Sequence, residues 1–247
     1  MTPPAPLADD VSARPDSAHR DLQFLRDSTR RLLAAAEALD DTAVTEASRL
    51  PGWTRGHVLA HLARNADALI NVLAGRPMYP GDEERNAAIE RGAPRSVAEH
   101  VADLRESAAR LDGAFSAQRD ADWQRTVELR GGITDIAARV PFRRLVETEL
   151  HHVDLGVGYA VDDLPGGFLD RQLTYMARRF ADHPEIAEPI ELRTDDGVGH
   201  RTGAAPEAGG EPVVVTGSAA ALVGWLTGRT SGSGLSASSA LPVLPPL

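Results

Sequence analysis

Residues 146–155 read VETELHHVDL, two glutamates and two adjacent histidines inside a segment with helical apolar spacing. At 100° per residue, Val146, Leu150, Val153 and Val157 fall within about 60° of arc and define a core-facing stripe. Glu147 and His151 flank it, four residues apart and so one above the other, at about 90° and 130° from the stripe centre, with Asp154 near 70°. Glu149 and His152 fall on the opposite flank. Polar groups this close to a core need partners, because burying them unbonded is costly.

A second helix supplies a facing group. After LPGWT, residues 50–54, Thr54 is an N-cap, and Val58, Leu62, Leu69 and Leu73 share one face. His61 lies about 90° from the centre of that face and His57 about 130°, with Asn65 closer still. His61 is therefore expected to face the bundle interior, and His57 to sit on the surface at the helix start. Glu147, His151 and a distant His61 supply one carboxylate and two imidazoles, which bundle cores use to hold metal ions. Three protein ligands leave zinc one open position, as in catalytic sites. The alternative is a Glu147–His151 pair on the helix surface and a satisfied core histidine at 61.

The remaining chain fills in a four-helix bundle. Residues 1–17 read as a mobile Pro- and Asp-rich tail, followed by a helix from Ser17 to about Leu39. Ser96 and Glu99 form a capping box for a third helix reaching about Gln118, and the VETEL helix runs from about Pro141 to Gly156. The twenty-residue connection GRPMYPGDEERNAAIERGAP, residues 75–94, is long enough to be functional or disordered, and its Met78, Tyr79, Arg85 and Asn86 favour function. Beyond Gly158 the pattern becomes mixed: a helix over GFLDRQLTYMARRFADH, short strands at PIELRT, GVGHRT and EPVVVTG, and a last helix ending at Gly228. The expected fold is α+β: a bundle over 18–158 and a small α/β domain over 159–247. Trp53, Trp123 and Trp225 read as packing anchors, and His19, His100, His183 and His200 as exposed. Asp154 either orients a ligand or sits on the helix surface.

Composition restricts the chemistry. The chain has no cysteine and no lysine, and all 26 basic residues are arginine. That removes a protein thiolate, Schiff-base catalysis and a P-loop. A formal charge of −10 disfavours nucleic acid. No apolar run reaches membrane-span length and the N-terminus has no signal-peptide pattern, so a cytoplasmic location without a membrane partner is expected.

LPGWTRGHVLAHLARNADAL, RPMYPGDEERNAAIERG, VETELHHVDLG and VVVTGSAAALVGWLTGR resemble, in order and spacing, segments of the mycothiol-dependent maleylpyruvate isomerases. Those enzymes join a DinB-like metal-binding bundle to a C-terminal α/β domain. The resemblance implies zinc on His61, Glu147 and His151, mycothiol as the thiol, and Arg229 serving the active site from the second domain. It further implies cis-trans isomerisation of maleylpyruvate by thiolate addition, bond rotation and elimination. His151, not His152, keeps the four-residue spacing from Glu147. Arg229 would otherwise read as a helix C-terminal cation offsetting the dipole. Arg85 and Asn86 are candidates for a substrate carboxylate or the sugar part of mycothiol, with surface solvation the alternative. The expected partners are a small-molecule substrate and mycothiol, and a monomer is expected. A mycothiol S-transferase, a zinc-water hydrolase and a non-catalytic DinB-like binding module remain the competing readings.

Overall fold

Local caps divide the first part of the chain into helices. The computed structural model describes residues 14–205 and 211–246. Residues 1–13 of the expected tail lie outside the described residues. Pro15 already opens helix α1 (Pro15–Glu37), as its fixed φ and missing N–H allow in a first turn. Asp40 caps the short α2 (Asp41–Thr45) by accepting from the Ala43 amide at 2.7 Å. Helix α3 (Arg55–Leu73) starts at Thr54, whose hydroxyl accepts from the His57 amide, while His57 Nδ1 accepts from the Thr54 amide at 3.2 Å. His57 thus takes the place of the usual glutamate in a capping box. It is half-buried rather than a plain surface residue.

The long connection is not a loop throughout. It contains helix α4 (Asp82–Gly92), with Asp82, Glu83 and Glu84 in its first turn and Arg91 in its last. That charge order suits the helix dipole. Only Ile89 and Gly92 are buried, so the segment has almost no apolar period to betray a helix. Close packing holds it: a Cβ on Gly56 would lie 2.1 Å from the Ala93 carbonyl oxygen, and one on Gly92 would lie 2.8 Å from Ala60 Cβ. Glycines at both places let the end of α4 press against α3.

Helix α5 (Val97–Ser116) carries the Ser96–Glu99 capping box. Strands β1 (Thr126–Glu128) and β2 (Thr134–Ile136) form a small antiparallel ribbon, and helix α6 (Val140–Leu155) ends on Gly156 at φ 67°. Helices α1, α3, α5 and α6 form the bundle: α3 packs on α5 and α6, and α1 on α6 and α5. Its core contains Leu32, Val58, Leu59, Leu62, Leu104 and Leu155. Two expectations change. Val146 is only half-buried while Phe142, Leu145, Glu149, His152 and Leu155 are buried, because α6 is sandwiched between α1 and α3 and so lacks a single apolar stripe. His100 is buried, with its Nε2 3.3 Å from the Ala93 carbonyl oxygen, and burial lowers its pKa. Of the other three, His19 is exposed and His183 and His200 are half-buried.

The chain divides into two compact units, Met1–Gly158 and Tyr159–Leu247. The second contains α7 (Gly166–Arg179), β3 (Pro189–Thr194), β4 (Gly199–Gly203), β5 (Val213–Gly217), α8 (Ala219–Leu226) and β6 (Ser236–Ala237). Its sheet has the order β4-β3-β5-β6, with β3 and β5 parallel and the other pairs antiparallel. Ile190 and Leu192 on β3 and Val213 and Val215 on β5 are buried, the alternation expected of strands with one covered face. Helices α7 and α8 pack on each other.

The α3–α4 crossing can be tested at Gly56. Alanine there gains about 1 kcal/mol of helix propensity, but overpacking costs about 1–3 kcal/mol. Because the Ala93 carbonyl is backbone and gives little, Gly56→Ala is expected to lower stability in urea unfolding. A stabilised variant would show that the crossing tolerates a methyl group.

Candidate metal centre

Two helices bring three donors together. His61 projects from the middle of α3, and Glu147 and His151 stand one turn apart on α6. One ligand atom from each of these residues can be chosen so that all three lie within 4.8 Å of one another. His61 Nε2 is 2.9 Å from Glu147 Oε2, and His151 Nε2 is 3.2 Å from the same oxygen. The two imidazole rings meet nearly edge-on, 4.7 Å apart at 85°. The Trp53 ring lies 5.6 Å from that of His61, so this packing residue also walls the site.

The supporting contacts fix the rings. Asp154 is buried, and its Oδ2 lies 2.9 Å from His151 Nδ1. Of its two open readings, this favours orienting a neighbour. A carboxylate behind a histidine holds the proton on Nδ1 and leaves Nε2 as the ligand atom. Arg85 Nη2 lies 3.3 Å from His61 Nδ1. An arginine can only donate, so Nδ1 accepts there and His61 Nε2 carries the proton given to Glu147. Arg85 Nη1 also donates to Asn86 Oδ1 at 2.9 Å, and its guanidinium carbon lies 5.8 Å over the Tyr79 ring. Arg85 therefore borders the donors directly, whereas Asn86 is exposed and reaches them through Arg85.

Charge balance explains the ionisation of the cluster. Burial lowers the His61 pKa more than Glu147 raises it, so the ring is neutral at neutral pH. Burial opposes charge on Glu147, but hydrogen bonds from His151 and His61 outweigh it and hold the carboxyl well below its ordinary value. Burial likewise opposes charge on His151, yet Asp154 and Glu147 raise its pKa. The donor set fits a divalent ion: two imidazole nitrogens and one carboxylate oxygen suit zinc and similar metals.

Arg144 escaped the sequence reading. It lies three residues before Glu147, so the spacing on α6 could have placed it on the same face. It is buried, donates through Nη1 to the Leu62 carbonyl and Asn65 Oδ1 at 2.8 Å each, and burial pushes its pKa down to about 10. Tyr79, whose pKa is raised by burial, also lines a cavity of about 780 Å³ with Arg76, Met78, Arg125, Leu129 and Arg130. Arg229 belongs to the second unit, just past α8, where its Nη1 donates to the Thr227 carbonyl at 2.7 Å.

Fold and site define a helical-bundle protein with a His/Glu/His metal-type cluster, followed by a small α/β unit. Residues 25–156 match the model of the mycothiol maleylpyruvate isomerase N-terminal domain, and residues 163–246 that of the MDMPI C-terminal domain. The chain belongs to the mycothiol-dependent maleylpyruvate isomerase family. Two solved structures are similar at TM-score 0.82 and 29% identity, covering 93% of this chain and 96% of theirs. One is described as the crystal structure of the mycothiol-dependent maleylpyruvate isomerase, the other as an alanine-for-histidine mutant of it. No curated protein matches the chain.

Asp154→Asn keeps the three donors but removes the charge behind His151. Zinc affinity, measured by chelator competition, is expected to fall about tenfold or more. Unchanged affinity would make Asp154 a packing residue only.

Proposed function

We propose that the chain converts maleylpyruvate to fumarylpyruvate with mycothiol as thiol cosubstrate and zinc on His61, Glu147 and His151. One observation carries the reading: likeness over 93% of the chain to an enzyme described by that activity. The donor cluster supports it independently, because a chain without cysteine has no thiol of its own. With zinc and mycothiol bound, the chemistry supplied is a thiolate that adds across the cis double bond, allows rotation about the resulting single bond, and leaves by elimination to the trans product.

The protein's residues have separate tasks. His61, Glu147 and His151 hold the metal, and Asp154 keeps His151 in the tautomer that presents Nε2. A metal held by His61 Nε2 would leave that ring's proton on Nδ1, and His61 would then not accept from Arg85. The Arg85 Nη2–H is then available to an anion, a carboxylate of the substrate or a polar group of mycothiol, and Asn86 steadies it. Arg229 is the fixed cation assigned to the negative charge that develops on the dicarbonyl part during addition; its support is the resemblance of the segment that carries it. The cavity beside Tyr79 offers space for a cosubstrate much larger than the reacting thiol.

Purified protein loaded with zinc is expected to isomerise maleylpyruvate only when mycothiol is added, followed by absorbance and NMR. Protein that binds both zinc and mycothiol without isomerising would refute the reaction and move the function to thiol transfer onto another electrophile. Alanine at His61, Glu147 or His151 is expected to abolish stoichiometric zinc, and full metal retention would remove that residue from the site. Arg229→Ala is expected to keep zinc and fold while kcat falls about a hundredfold. A wild-type rate would take Arg229 out of the mechanism.

A further inference from the structure

Arg144 has no part in the chemistry above, yet it is an unusual group for a bundle interior. It is 3% exposed. Among the described residues, its hydrogen bonds are the two from Nη1 to the Leu62 carbonyl and Asn65 Oδ1, and no carboxylate lies within ion-pair distance of its guanidinium. Four half-buried arginines of the bundle are ion-paired, Arg31 with Glu149, Arg64 with Asp103, and both Arg139 and Arg143 with Asp135, whereas the half-buried Arg85 and Arg125 use neutral partners and Arg144 is the most deeply buried of these cations. A buried cation with no carboxylate in direct contact is costly, so the retention of Arg144 with only neutral hydrogen-bond partners points to a ligand that brings such a carboxylate.

The unused edge has a specific shape. Nε–H and Nη2–H point the same way and form the side-on fork that takes a carboxylate through two parallel bonds. Arg119 shows that geometry in this same chain, with Nε and Nη2 at 2.9 and 3.0 Å from the two oxygens of Asp122. Arg144 precedes Glu147 by three residues, about 4.5 Å along the helix axis, and Glu147 and Tyr79 are the charged and titratable groups it feels most. The charges around the donors also favour anions. Arg85 and Arg144 offset Glu147 and Asp154, so a divalent ion on the donors leaves an excess of about two positive charges for ligands to neutralise.

We propose that Arg144 is a carboxylate receptor on the floor of the metal centre, taking one carboxylate of a small dicarboxylate through Nε–H and Nη2–H. The proposal rests on the reading of the donors as a metal site whose substrate is a dicarboxylate. It makes Arg144 a specificity-determining residue, distinct from Arg85, which contacts His61 Nδ1.

The test uses the full zinc-loaded chain with maleate as the dicarboxylate probe and isocrotonate as the cis monocarboxylate. Calorimetry on the wild type is expected to show maleate binding more tightly than isocrotonate. Arg144→Gln should weaken maleate at least tenfold and erase the preference, with zinc stoichiometry unchanged. Arg144→Lys, which keeps the charge but lacks the fork, should fall between the two. In turnover, Arg144→Lys should raise KM more than it lowers kcat. Wild-type maleate affinity in Arg144→Gln, or no maleate preference in the wild type, would overturn the proposal. If the Gln variant does not fold, NMR of guanidinium Nε–H groups in the wild type decides. The resonance of Arg144 should shift on maleate titration, and one that stays unmoved at saturation counts against the proposal. A parallel isomerisation assay separates the two readings: maleate binding through Arg144 without isomerase activity leaves the receptor and removes the reaction, and the reverse removes only the receptor.

Discussion

The bundle depends on a polar seam between α3 and α6. His61 faces Glu147 at 2.9 Å, and Asn65 faces Arg144 at 2.8 Å. The step is four residues on α3 and three on α6, about 6.0 and 4.5 Å of axial rise, so both pairs sit within roughly one turn of each other along the two helices. Slipping one helix by a turn would break both pairs at once and leave buried polar groups unbonded, which costs more than the net gain from making them. The seam therefore fixes register where apolar side chains alone would tolerate several packings. On the other flank Arg31 of α1 donates to the buried Glu149 at 2.5 Å. Helix α6 is thus held against rotation from both sides, and the four polar groups of ETELHH have different duties: Glu147 and His151 turn to α3, while Glu149 ties α6 to α1 and His152 is buried.

Much of this was legible wherever a short-range rule operates. Thr54 and Ser96 announce helix starts because their hydroxyls satisfy orphan amides, and Gly156 announces an end because α6 closes on a left-handed residue. The relation of Glu147 to His151 followed from the four-residue turn alone. The strands PIELRT and VVVTG were legible because short β-prone runs are bounded by Gly, Pro and Asp.

What stayed hidden depends on distant contacts. Helix α4 has only Ile89 and Gly92 buried, so its position comes from two close glycine approaches to α3 and not from its own pattern. His100 carries no local sign that Ala93 will bury it. The wheel for α6 failed in detail for a related reason: a helix sandwiched by two neighbours buries flanks that a one-sided stripe leaves exposed. Arg144 was missed because an arginine near the start of a helix ordinarily reaches solvent, and only the packing of α3 shows that this one does not.

The same constraint explains how a cluster of acids and imidazoles can exist in a helical core before it performs any chemistry. Glu147 accepts from both histidines, Arg85 covers the outer nitrogen of His61, and Asp154 covers that of His151. Each ring nitrogen and the shared carboxylate oxygen has a partner, so hydrogen bonds hold the donors in place. The three donor atoms already lie within 4.8 Å of one another, so the cluster is gathered before any ion is added. The exception to this local saturation is Arg144, whose Nε and Nη2 make no hydrogen bond among the described residues. Its charge is balanced only at a distance, chiefly by Glu147, while its hydrogen bonds go to the neutral Leu62 carbonyl and Asn65.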